Sequence, residues 1–167
     1  MLHYTDWSIG QFMERFKKRS DYDDTFFIIT ADHAMAHFQS DEPYERFLIP
    51  LLIHAPKHIQ PEWIPTYGSQ IDLLSTIIEL LDLEGTYSSI GSNLFEKKTD
   101  YVVVKEGALI NIYSPRGFLQ HSLERTVNFQ TVDLNQKEKN QQDLEKQAIA
   151  FDHLMYLLLN TNRLNRL

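Results

Sequence analysis

Phe27-Ile28-Ile29-Thr30-Ala31-Asp32-His33 is the stretch on which the reading of the fold turns. An apolar, β-branched run ends at once in a carboxylate and an imidazole. Strands buried in a parallel sheet read as continuous apolar runs, and open α/β sheets bind ligands just beyond the carboxyl ends of their strands. A hard oxygen donor beside a neutral nitrogen donor at that point makes half of a divalent metal site. Taken alone, the dipeptide reads more simply as a loop-edge pair that caps a turn. The rest of such a site is not evident elsewhere in the chain.

Working outward, Ile9, Phe12, Met13 and Phe16 recur at helical spacing before the strand, and Lys17-Lys18-Arg19 put cations where a helix C-terminus favours them. A helix opening almost at residue 1 reads as a cut inside a larger protein, with a complete small protein capped at Thr5 as the alternative. After the strand, residues 34–46 read as a loop over the functional edge. Phe47 to His54 is a second apolar strand, and Pro50 puts it at an edge or a bulge. Ile71, Leu74, Ile78 and Leu81 mark a helix, with Gly85 as its stop signal.

Beyond residue 100 the texture changes. Tyr101 to Val104 and Ala108 to Tyr113 read as two strands around Gly107, followed by short strands near Phe118–Leu123 and Thr126–Thr131. A final helix runs from about Lys137 to Asn160, with Leu144, Ala148, Phe151, Met155 and Leu158 on one face. The expected architecture is α/β: part of a parallel sheet with flanking helices over residues 1–98, then a small antiparallel sheet and a final helix over 99–167.

Composition sets the outer limits. The chain has 167 residues, 43% hydrophobic and 23% charged, the make-up of a globular protein. Its net charge of −7 argues against nucleic acid as a partner, since phosphate neutralisation needs clustered cations. There is no cysteine for a disulfide or thiolate site. No apolar run approaches the roughly 18 residues that would span a bilayer.

Three segments, in order, resemble the alkaline phosphatase superfamily, and most closely the sulfatase-like phosphoglycerol transferases that include lipoteichoic acid synthase. They are Tyr4 to Gly10 running on to the strand that ends in Asp32-His33, then Ile49 to Pro56, then Gln70 to Leu81, with Gly91-Ser92-Asn93-Leu94-Phe95 continuing the pattern. The resemblance implies that Asp32 and His33 are metal ligands, with manganese or magnesium as the leading ions and zinc as a third. It implies that His37 contacts substrate, and that the substrate is a phosphate or sulfate ester of the cell envelope, handled on the extracytoplasmic face. The family's nucleophilic Thr or Ser and its acidic metal ligand belong to an N-terminal half outside this chain. No catalytic residue is therefore assigned here, and membrane attachment is expected only through that other part.

The departures from the family pattern are specific. Ala34 follows Asp32-His33 where glycine is common, Ser75 stands where proline is usual, and Gln70 where a histidine is frequent. Ser114-Pro115-Arg116-Gly117 shares letters with the sulfatase nucleophile motif but not its spacing. Of the other polar residues, His54, His58, His121 and His153, Arg46 and Asp72 read as structural or solvated. Alone, the chain is expected to be inactive and to self-associate through open sheet edges. The competing reading is a non-catalytic domain that uses the same scaffold to bind a protein or a glycan.

Overall fold

A computed structural model describes residues 2–34, 45–96 and 100–161. The chain divides into two compact units, Met1–Trp63 and Ile64–Leu167.

In the first unit, helix α1 (Leu2–Phe16) is followed by a short 3₁₀ turn at Tyr22–Asp24 and strand β1 (Phe27–Thr30). A second 3₁₀ turn (Glu45–Phe47) precedes strand β2 (Leu51–His54). β2 is thus shorter than the apolar run that predicts it. Pro50 carries no N–H for a ladder, and the strand begins only after it.

β1 and β2 pair antiparallel, in register from Phe27 opposite His54 to Thr30 opposite Leu51. This corrects the expectation of a parallel sheet, and every ladder among the described residues is antiparallel. The reason is one of chain path. A parallel neighbour requires a crossover back to the start of β1, whereas this connection re-enters β2 at the end where β1 finishes. The Thr30 hydroxyl donates to the Pro50 carbonyl at 2.8 Å and ties those two ends together.

α1 docks on the other end of β1 through aromatic rings. Phe16 meets Phe27 edge-on at 5.0 Å, and Phe12 meets it at 6.2 Å. Lys57, after β2, pairs with Asp23, before β1, at 2.8 Å. The start of β1 is therefore packed, and its far end is left to project Asp32 and His33.

The second unit opens with a 3₁₀ turn (Gln70–Asp72) that runs into helix α2 (Leu73–Leu80). Asp72 is 2% exposed, and its two carboxylate oxygens accept the backbone N–H groups of Ser69 and Ser92, each at 2.9 Å. Thr76 donates to the Asp72 carbonyl at 2.7 Å and accepts from Leu94 N–H at 3.0 Å. Ser75 puts its hydroxyl 3.0 Å from the Gly91 carbonyl. Asp72 at the end of the 3₁₀ turn, with Ser75 and Thr76 of α2, thus clamps the loop at Gly91, Ser92 and Leu94. Only glycine fits at 91, because a Cβ there would lie 2.0 Å from the Ile71 carbonyl oxygen.

Strands β3 (Val102–Glu106), β4 (Leu109–Ser114), β5 (Gly117–His121) and β6 (Thr126–Gln130) form an antiparallel meander in that order. Gly107, at φ +58°, makes the tight β3–β4 turn possible. Pro115-Arg116 forms the β4–β5 turn between paired Ser114 and Gly117, so the Ser-Pro-Arg-Gly letters are a hairpin and nothing more. Helix α3 (Lys137–Asn160) has the bounds expected from its periodicity and lays Leu144 and Ala148 against Ile110, Ile112 and Leu119. Those five fully buried side chains are the core of the unit.

Replacing Asp72 with alanine would remove the buried acceptor of two backbone N–H groups. It is expected to lower the stability of the second unit by about 3 kcal/mol, read by urea denaturation. A loss below about 0.5 kcal/mol would show that water replaces the carboxylate without penalty.

Candidate functional site

β1 ends at Thr30, and the chain bends at Asp32 and His33. Both side chains stand in solvent, Asp32 at 90% and His33 at 76% exposure, so an incoming ligand can reach either. Neither points away from the other: Asp32 Oδ1 lies 3.8 Å from His33 Nε2.

Two hydrogen bonds set this arrangement. The His33 backbone N–H donates to Asp32 Oδ1 at 2.9 Å and orients the carboxylate. His33 Nδ1 lies 2.7 Å from the Ala34 carbonyl oxygen. A carbonyl can only accept, so Nδ1 carries the proton and the neutral ring keeps its lone pair on Nε2. A backbone carbonyl that fixes the tautomer in this way is the usual support of a metal-binding histidine.

The donor set fits one small divalent ion. Metal–nitrogen and metal–oxygen bonds of about 2.1 Å each reach donors up to about 4.2 Å apart, and 3.8 Å lies inside that span. Two donors are also all that the described residues offer, since no group of three or more His, Asp, Glu or Cys side chains converges among them. His37, the expected substrate contact, lies outside the described residues.

The other singled-out residues have structural employment. His54 Nε2 and the Tyr22 hydroxyl share a 2.8 Å hydrogen bond beside Phe27. The Arg46 guanidinium lies over the Phe47 ring at 4.7 Å. Sequence reasoning missed a cleft of about 310 Å³ in the second unit, lined by Ser75, Glu79, Tyr87, Ser92, Asn93 and Glu96. Two of its lining residues are joined where the Asn93 amide donates to Glu79 at 2.8 Å across 14 positions, a pairing that no local sequence pattern marks.

The Ala34 carbonyl, which holds the Nδ1 proton, raises the His33 pKa above the usual imidazole value, and the Asp32 carboxylate adds to the effect. A metal bound there would have to displace the proton from Nε2, so its affinity would decline as pH falls through that raised pKa. Asp32→Asn removes the charge and should bring the His33 titration, followed by NMR, downward in pH. No movement would mean that the carboxylate does not act on the ring.

The sulfatase family model matches residues 1–83, the part of the chain that carries β1, Asp32-His33, β2 and α2. The lipoteichoic acid synthase-like protein YvgJ of Bacillus subtilis (strain 168) is 26% identical over 166 residues, covering 86% of this chain and 27% of that protein. A crystal structure of a protein in the alkaline phosphatase superfamily from Vibrio parahaemolyticus superposes with a TM-score of 0.76. It does so at 21% identity, over 98% of this chain and 42% of its own. The chain therefore spans about a quarter of the length of the curated relative, 27%.

Proposed function

The chain is a sulfatase-like member of the alkaline phosphatase superfamily, and from that premise we propose that Asp32 and His33 are two ligands of a catalytic divalent cation. Manganese and magnesium suit a carboxylate-bearing site, and zinc suits the imidazole. The protein they serve is a phosphoglycerol transferase or a sulfatase-like hydrolase. Its substrates are phosphate or sulfate esters of the cell envelope, met on the extracytoplasmic face of the membrane. Residues 1–98 contribute to the sulfatase-like domain, and residues 99–167 form an appended antiparallel region. The nucleophile and the acidic ligand come from polypeptide outside these 167 residues, and His37 approaches the ester.

The observation that carries this reading is the fixed tautomer. Ala34 takes the Nδ1 proton, which leaves the Nε2 lone pair 3.8 Å from a carboxylate oxygen at the rim of β1. When bound, a divalent cation lowers the pKa of a coordinated hydroxyl and offsets charge developing on phosphoryl or sulfuryl oxygens. The chain's own residues do the positioning. The backbone N–H of His33 holds the carboxylate, the Thr30–Pro50 bond holds the end of the strand, and the phenylalanine rings anchor its start.

Calorimetric titration with manganese tests the ligand assignment. Asp32→Ala and His33→Ala should each weaken binding by roughly 10-fold or more, and equal affinity in wild type and both variants would overturn it. The chain should also turn over p-nitrophenyl phosphate no faster than Asp32→Ala does. Metal-dependent turnover that the variant lacks would contradict a nucleophile placed outside the chain.

A further inference from the structure

One buried titratable side chain has no part in the site above. His121 closes β5 and is 4% exposed. Its Nδ1 accepts the backbone N–H of Leu123 at 3.0 Å. An N–H can only donate, so Nδ1 is unprotonated and the neutral ring carries its proton on Nε2. This is the opposite tautomer to that of His33.

The bond holds an unfavourable turn. Leu123 sits at φ +72°, a left-handed conformation that a branched side chain rarely adopts. The other ties across the turn are between Ser122 and Arg125. Ser122 N–H donates to the Arg125 carbonyl at 3.0 Å, and Arg125 N–H reaches the Ser122 hydroxyl at 3.4 Å. The ladder is also irregular here, with a register shift between Gln120 and His121.

The groups around the ring are distributed over four elements. On β4 the cross-strand partner is the apolar Ile110, and on β6 it is Thr126. Beyond Ile110, Lys105 of β3 is engaged by Asp152 of α3 at 2.6 Å. From α3, Glu145 accepts the Thr126 hydroxyl and, at 3.0 Å, the Gln141 amide. Those two hydrogen bonds, with a smaller contribution from His121, hold the Glu145 carboxyl below its usual range, so it stays anionic where an imidazole titrates.

We propose that His121 is an acid-sensitive latch on the β5–β6 turn. A proton taken from solvent onto Nδ1 sets N–H against the N–H of Leu123, the acceptor that amide has among the described residues is lost, and the left-handed turn is released. The imidazolium then has the Glu145 carboxylate as its counter-ion. Recruiting that carboxylate competes with its bond to Thr126 and loosens the edge strand β6 from α3. The neutral ring keeps the turn closed, and the closed state is lost as pH falls through the titration of the ring.

NMR on the labelled 167-residue chain tests the latch. The His121 ring resonances and the Leu123 amide shift should titrate together. Leu123 hydrogen-exchange protection, corrected for intrinsic pH dependence, should fall roughly 10-fold or more on the acid side. In His121→Asn the side-chain oxygen can accept from the residue two positions on without titrating, so protection should be pH-independent. Should that variant fail to fold, the paired titration in wild type decides alone. A Leu123 amide indifferent to the ring's titration, or a ring that stays neutral down to acid unfolding, would overturn the proposal.

Discussion

Four cross-strand pairs, from Phe27–His54 to Thr30–Leu51, hold the place from which the rest of the site follows. A carboxylate and an imidazole on adjacent residues become a usable donor pair only if the backbone leading to them is fixed. The ladder fixes it on one side, the Thr30–Pro50 bond at the tip, and the rings of Phe12 and Phe16 at the base. Removal of any one of these would leave the donors in place chemically but loosen them in space.

The first unit does this with little core. Among its described residues Ala55 is the one buried hydrophobic side chain, while Tyr4, Trp7, Phe12, Leu48, Leu52 and Trp63 stand more than half exposed. Two-stranded ladders are marginal by themselves in water. The second unit is built differently, with a fully buried aliphatic cluster between sheet and helix and a carboxylate knot at Asp72. The family match at residues 1–83 spans the first unit and runs on through α2 of the second, and the relatives are much longer than this chain.

Much of this was legible in the sequence. The β-branched run before Asp32 marked β1, the four-residue apolar spacing of Leu144 and Ala148 marked α3, and Gly107 marked a hairpin turn. The strand direction was not legible, because an apolar run reports burial on both faces and says nothing of polarity. Pro50 shortened β2 for a reason visible in its lack of an N–H, yet where the strand would resume depended on pairing with Thr30. The Asp72 knot was hidden because its second donor, Ser92, lies 20 positions away. The tautomers of His33 and His121 were beyond reach, since each is set by a backbone group whose orientation exists only in the folded chain.

The central claim is that the rim of β1 grips a divalent cation through Asp32 and His33. Paramagnetic broadening of backbone amides during a manganese titration tests it most directly, because it maps the ion without relying on turnover. The account predicts that signals of residues 30–34 vanish first, at the lowest ion concentration. Broadening that begins instead around Glu79 and Glu96, or spreads evenly over the acidic surface, would contradict it.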